Sequence, residues 1–277
     1  MARILAISSY VASGHVGLCG IVPVLQAFGH EVISVPTVVL SCHNGREHVR
    51  GVTLEAGDIA GMLSALRANG TLEALDAVIT GYMPSAEVTE LVAAELERLA
   101  EALPDLVYLC DPVLGDDPDG LYVLDDVACT IRDRLLPLAD IVCPNRFELA
   151  WLTGAGVHNA NDADIAADSL GVELAVVTSV PAVDGQIANV SSDSDNAFTF
   201  TTPRLPAVPH GTGDVLAALL LGHVLSGCEL TEATARASAG VQMVIADSIG
   251  AHELELVAGL SRTVEVQGMP GEEVGAE

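Results

Sequence analysis

The chain of 277 residues has no lysine. Its eleven basic residues are all arginine, set against 38 Asp and Glu, which leaves a net charge of −27. A surface of that sign repels the phosphates of nucleic acids and anionic membranes, which removes both as partners. It also needs a setting that screens self-repulsion. The missing lysine favours a salt-rich cytoplasm over an ordinary solvated acidic face. Aromatic residues are only 3% of the chain, so the core must be mostly Leu, Val, Ile and Ala. None of the six cysteines forms a C-x-x-C pair. That argues against a zinc or disulfide framework and predicts reduced, buried thiols in a cytoplasmic protein. No run reaches the ~20 apolar residues of a membrane span. Residues 215–225 come nearest, between Asp214 and Gly227. The apolar run after Arg3 is too short for a signal peptide.

What is present is a regular alternation. Half the residues are hydrophobic, ample for one large core, and no linker or internal repeat divides the chain. Strands are predicted at Arg3–Ser8, Glu31–Val35, Ala77–Thr80, Leu106–Cys110, Ile141–Cys143 and Leu174–Thr178. Helices are predicted over 17–28, 58–69, 85–102, 126–135 and 162–170. Val38–Gly51 reads as a polar flap or short edge strands, and 185–202 as a hairpin turning at Ser191–Asn196. Closing helices follow at 213–226, 230–247 and 252–260. The Gly/Glu-rich stretch 269–277 reads as a disordered acidic tail, leaving 1–268 as one domain. This order implies an α/β fold with a mostly parallel sheet covered on both faces. Ligands of such sheets sit beyond the carboxyl ends of the strands. Ser8-Ser9, Gly81-Tyr82, Asp111-Pro112, Pro144-Asn145 and Thr178-Ser179 all fall there. Core packing alone does not account for five polar strand ends on one rim.

The most informative stretch is His210-Gly211-Thr212-Gly213-Asp214, which runs straight into an apolar helix. Glycines allow close backbone approach. The first helical N–H groups have no partner within the helix and suit a phosphate. An acid in that position is better suited to taking a proton from a hydroxyl. Together these read as a small-molecule kinase; the alternative is that Asp214 only favours the helix start. Asp111 after its strand can help hold Mg²⁺, or it can simply initiate an Asp-Pro turn. Asn145 and Glu148 form a capping-box pattern, or Glu148 lies near a metal. Thr178 and Ser179 could bond nucleotide phosphates, or be satisfied strand-end hydroxyls.

Five motifs occur in order: Gly-Tyr-Met at 81–83, Cys-Asp-Pro-Val-Leu-Gly-Asp at 110–116, Leu-Ala-Asp-Ile-Val-Cys-Pro-Asn-Arg-Phe-Glu at 138–148, Val-Thr-Ser at 177–179 and Gly-Thr-Gly-Asp at 211–214. The set resembles the pyridoxal kinases of the ribokinase-like superfamily. The likeness runs from about Arg3 to about residue 226. The N-terminal stretch Ile7–Gly17 and Ser41-Cys42-His43 resemble that branch in particular. The resemblance implies a three-layer αβα sandwich, and ATP-dependent phosphorylation of the 5′-hydroxyl of pyridoxal. It implies Asp214 as the base and the Gly211–Gly213 amides as the phosphoryl cradle. Asp111 and Glu148 would support Mg²⁺. Thr178, Ser179, Thr212, Asp116 and Asn145 would lie on the ATP side. Ser9, His43, Asn44 and Tyr82 would lie on the substrate side. A monovalent cation such as K⁺ and a homodimer are further implications. Where the family often has Asn-His-Thr, this chain has Cys42-His43-Asn44. Where a basic residue often follows Asp116, it has Asp117. The rivals are a hydroxymethylpyrimidine kinase of the same superfamily and a non-catalytic pyridoxal or nucleotide binder. A sugar kinase fits the N-terminal loop less well.

Overall fold

The computed structural model describes residues 1–193 and 195–275. Ser194 in the hairpin turn, and Ala276 and Glu277 at the end of the tail, lie outside the described residues. The first half of the chain supplies β1 (Arg3–Val11), α1 (Leu18–Ala27), β2 (Glu31–Leu40), β3 (Gly51–Thr53), α2 (Ala56–Ala68), β4 (Ala77–Thr80), α3 (Ala86–Ala102) and β5 (Val107–Cys110). A two-residue hairpin follows, β6 (Gly115–Asp116) and β7 (Gly120–Leu121), then α4 (Asp125–Thr130). The second half supplies β8 (Ile141–Val142), α5 (Arg146–Thr153), α6 (Ala160–Asp168), β9 (Leu174–Pro181), β10 (Ile187–Ser192) and β11 (Ala197–Thr202). It closes with α7 (Thr212–Leu225), α8 (Leu230–Asp247), α9 (Leu256–Val264) and β12 (Glu272–Glu273).

Ten strands form one sheet in the order β12-β11-β10-β9-β8-β5-β4-β1-β2-β3. The six from β9 to β2 are parallel, and the strands at both edges are antiparallel. Side chains alternate across the strands, so each strand feeds two cores. Leu5, Ile7, Val78, Cys110 and Val177 pack under α2, α3, α5 and α6. Ile4, Ala6, Ile79, Leu109 and Val176 pack under α1, α7 and α8. This is the expected three-layer α/β architecture. Helix α7 is sunk into the second core: Val215, Leu219, Leu220 and Leu221 are fully buried. Burying each such side chain is worth about 1.5–3 kcal/mol, so its N-terminus is held in place by its own body.

Four expectations need correction. β1 runs to Val11, not Ser8, with a register irregularity beside Ser9 whose extra residue falls in β2. β9 does not end at Thr178; it continues to Pro181 through a bulge at Thr178–Ser179. The tail from Met269 is not all disordered. Glu272–Glu273 lie along β11, and Gly271 sits so close to the Phe200 ring that a methyl group there would clash. Of the six thiols, only Cys110 and Cys143 are buried; the other four are partly exposed, and all are unpaired.

Candidate active site

Gly211 is the N-cap of α7 at φ 103°, and a Cβ there would lie 2.1 Å from the His15 carbonyl oxygen. Only glycine satisfies both conditions. The first intrahelical bond is from the Val215 amide to the Gly211 carbonyl. The amides of Thr212, Gly213 and Asp214 therefore have no backbone partner among the described residues and form an anion-binding end. A Cβ added to Gly213 meets nothing within 4 Å, so that face of the turn is open. Asp214, the third residue of the helix, is partly buried. Desolvation pushes its carboxyl up to about 6, against the opposing pull of the Gly17 N–H.

The segment preceding α1 closes the other side. Gly17 has φ 55°, and a Cβ there would overlap Ser9, 2.2 Å from its Oγ and 2.3 Å from its carbonyl oxygen. One turn on, a Cβ at Gly20 would stand 3.4 Å from the Cβ of Asp214. Ser9, Gly17, Gly20 and Asp214 thus meet at one point. Tyr82 is fixed through its main chain. Its N–H donates to Ser8 Oγ at 3.2 Å, and its carbonyl accepts from Thr37 Oγ1 at 2.8 Å. Its ring is half-buried, and burial raises the phenol. Ser8 and Thr37 thus seat Tyr82 from two other strands. The Ser8-Ser9 pair was a visible signal for the first; nothing in the sequence marked the second.

Asp111 follows β5 and is 8% exposed. Its carboxylate makes no hydrogen bond among the described residues. Burial, and then the charges of Glu148 and Asp214, hold it well above the usual carboxylate range. Three acids thus crowd one desolvated region, a set that lacks positive charge. Glu148 is committed differently. Its Oε1 accepts from the Leu114 amide at 2.9 Å and the Gly115 amide at 3.4 Å, and its Oε2 accepts from the Asn145 amide at 2.8 Å. Burial raises its carboxyl, and those three N–H groups pull it back down. Asn145 completes the capping box of α5 by accepting from the Glu148 amide at 2.9 Å. It also donates to the Gly115 carbonyl at 2.7 Å. The structural alternative for this pair is therefore realised in full, and what it holds is the loop carrying Asp116.

Asp116 is exposed on β6 and accepts from the Asp117 amide at 2.7 Å. Asp117, where a basic residue was expected, pairs with Arg146 at the start of α5. Thr178 bridges to Asn145 and joins β9 to the same rim. Ser179 is exposed at the bulge with φ 59°, a left-handed conformation uncommon for residues other than glycine.

A cleft of about 190 Å³ opens beside this rim. His43 lies in it, stacked on His210 with ring centroids 3.9 Å apart. The Nδ1 of His43 accepts from the Gly45 amide at 3.0 Å. Burial, His210 and Arg46 lower His43 to about 4, so the ring is neutral near pH 7 and its proton sits on Nε2. Asn44 is exposed and, like Ser9 and Tyr82, is not part of the cleft lining, which His43 alone of the four substrate-side candidates enters. The far wall is built by His252 and Glu253, which no motif had indicated.

The phosphomethylpyrimidine kinase family profile matches residues 24–257. A pyridoxal kinase of Rubrobacter xylanophilus is 38% identical over 265 residues, covering 92% of this chain and 91% of that protein. One from Corynebacterium diphtheriae is 34% identical, covering 92% of each chain. Among solved structures, the pyridoxal kinase of Entamoeba histolytica superposes with a TM-score of 0.93 at 27% identity, covering 99% of this chain and 100% of that one. The Leishmania donovani enzyme in complex with ADP and pyridoxamine superposes with a TM-score of 0.92 at 27% identity, covering 99% of each.

Proposed function

Because this chain belongs to the phosphomethylpyrimidine kinase family, and within it to the pyridoxal kinases, we propose that it phosphorylates the 5′-hydroxyl of pyridoxal with ATP, giving pyridoxal 5′-phosphate. The observation that carries the reading is Asp214, a desolvated acid in the first turn of a helix whose amides are free and whose Gly213 face is open. Asp214 takes the proton from the substrate hydroxyl as the oxygen attacks the γ-phosphorus, the bond from that phosphorus to the β–γ bridging oxygen breaks, and ADP leaves. The amides of Thr212, Gly213 and Asp214 meet the charge that develops on the transferring group. Tyr82 lies over the pyridine ring, and Ser9 and His43 face its polar edge, with the neutral His43 offering a donor at Nε2. Thr178, Ser179, Thr212 and Asp116 line the ATP side, and Asn145 holds the Asp116 loop.

The excess of buried carboxylate around Asp111 fits Mg²⁺. Among the described residues no cluster of three His, Cys, Asp or Glu side chains could hold a metal unaided. That agrees with an ion that uses one or two carboxylates and takes its other ligands from water and phosphate. Asp111 would hold it, with Glu148 behind, and it would neutralise charge on the ATP phosphates. A monovalent cation such as K⁺ would find the same negative field. The reading extends to a single domain over 1–268, working in the cytoplasm as a homodimer; six unpaired thiols support a reducing compartment.

The test is ATP consumption measured across pyridoxal, pyridoxine, pyridoxamine and hydroxymethylpyrimidine. Turnover with pyridoxal well above that with hydroxymethylpyrimidine is the expected result. The reverse order assigns the protein to the pyrimidine branch, and no turnover with either makes it a binder.

A further inference from the structure

The cleft is closed by a contact between segments far apart in the chain. Glu253, in the loop between α8 and α9, accepts from Ser13 Oγ through both carboxylate oxygens, at 3.2 and 3.3 Å. Its Oε1 also accepts from Arg46 Nη2 at 3.2 Å. The same Arg46 nitrogen donates to the His252 carbonyl at 2.9 Å. A Cβ at Gly14 would lie 3.3 Å from the Glu253 carboxyl carbon, so the three segments are in close contact. One carboxylate thus joins the loop after β1, the loop between β2 and β3, and the loop after α8. The first of these loops leads to Gly17 and the Asp214 site. The second carries His43.

Charge makes the contact selective. Arg46 is one of eleven cations in a chain with 38 acids, and its charge is spent on this contact instead of on a helix surface. Without Arg46, Glu253 would add one more negative charge to a strongly negative molecule. Without Glu253, the loop holding His43 would keep the bond from the Ser13 amide to the Ser41 carbonyl, the stack of His43 on His210, its own turn contacts and the bond to the His252 carbonyl, but would lose its one carboxylate tie to Arg46.

We infer that Glu253 is a positioning residue for the substrate side. Through Arg46 and Ser13 it latches the 41–50 loop over the cleft, and so holds His43 on the pyridoxal ring. This rests on the reading of the cleft as the pyridoxal side. The Arg46–Glu253 pair is about one-third exposed at each end, so the latch is firm enough to bias the loop and weak enough to open for exchange.

Two readouts test it, one independent of activity. Arg50 is exposed, and its amide and carbonyl both bond within the loop, to Ser41. Trypsin must therefore open the loop to cut there. Glu253→Gln and Arg46→Gln are each expected to speed cleavage after Arg50 about three- to tenfold, with the double variant no faster than either single one. The KM for pyridoxal should rise by a similar factor, while kcat and the KM for ATP stay within about twofold. The charge swap Arg46→Glu with Glu253→Arg should restore slow cleavage and a low KM. Unchanged cleavage in Glu253→Gln, or an equal rise in both KM values, overturns the latch. If the wild-type protein does not phosphorylate pyridoxal at all, the kinase reading fails separately, and cleavage after Arg50 still decides whether the latch exists.

Discussion

On the proposed function, activity and stability place opposite demands on Asp214. Burial raises its carboxyl to about 6. A base must be ionised to act, so kcat/KM for pyridoxal should rise with pH through about 6 and then level off. A profile flat from pH 5 to 8 would remove Asp214 from that role. Asp214→Asn keeps the shape but cannot take the proton, and kcat should fall by about 10²–10⁴, with ATP binding retained in titration calorimetry. The same desolvation predicts a gain in stability. A carboxyl with a raised folded value binds its proton more tightly in the native state. Its ionisation therefore costs stability as pH climbs from about 4 to about 6, and that cost is fully present at pH 7. Removing the charge should stabilise Asp214→Asn at pH 7 by an amount on the order of 1 kcal/mol, read as a higher melting temperature. Tyr82 carries a separate test. Its main chain is gripped by Ser8 and Thr37 and survives truncation of the ring. Tyr82→Ala should raise the KM for pyridoxal but not for ATP, by a contact worth about 0.5–1.5 kcal/mol beyond buried area.

At the scale of elements, helix starts do most of the positioning. The N-terminus of α7 is left without a side-chain cap and its amides are free, whereas that of α5 is fully capped by Asn145 and Glu148. The first is free to meet a ligand; the second is spent on structure. Glu148 ties α5 to the loop leading into β6 through three main-chain N–H groups. Glu148→Ala orphans all three, and each unsatisfied buried donor costs about 1–3 kcal/mol. The melting temperature without Mg²⁺ should fall clearly. Glu148→Gln keeps one acceptor oxygen and should fall between that variant and wild type. If Glu148→Ala melts like wild type in metal-free buffer, the residue serves the metal and not the loop.

For the molecule as a whole, charge is the dominant fact. Among the described residues nine of the eleven arginines sit in ion pairs with Asp or Glu. Most of the 38 acids therefore have no cation at hand, and their repulsion opposes the compact state. The Debye length falls from about 10 Å at 0.1 M salt to about 3 Å at 1 M. Screening then removes more repulsion than attraction, because repulsive pairs far outnumber ion pairs. The melting temperature should rise from low to molar KCl, most steeply at the low end. Sucrose, which stabilises by exclusion without screening, is the control. A flat or falling curve in KCl would leave the acidic surface without consequence for stability.

The sequence by itself determined the layers, the mostly parallel character of the sheet and the position of the glycine-rich turn that opens α7. Those features are written in local periodicity and in short motifs such as Gly211–Asp214, where backbone freedom and chemistry share one stretch of chain. The β9 bulge at Thr178–Ser179 was hidden because a bulge is a mismatch between two strands, and neither strand alone records it. The strand at Glu272–Glu273 was hidden because its pairing partner and its contact with Phe200 come from elsewhere in the chain. The site divides in the same way. Asp111, Tyr82 and Asp214 stand out in the sequence because each follows a strand or opens a helix, whereas Ser9 lies inside β1 and only its neighbour Ser8 marks it. The choice between capping and ligation for Asn145 and Glu148 was left to the tertiary structure, which alone brings the Leu114 and Gly115 amides to Glu148. Ser13, Arg46 and Glu253 carried no signal at all. Their meeting spans 240 residues of chain, and only the folding of three loops onto one rim turns an ordinary Ser, Arg and Glu into a joint.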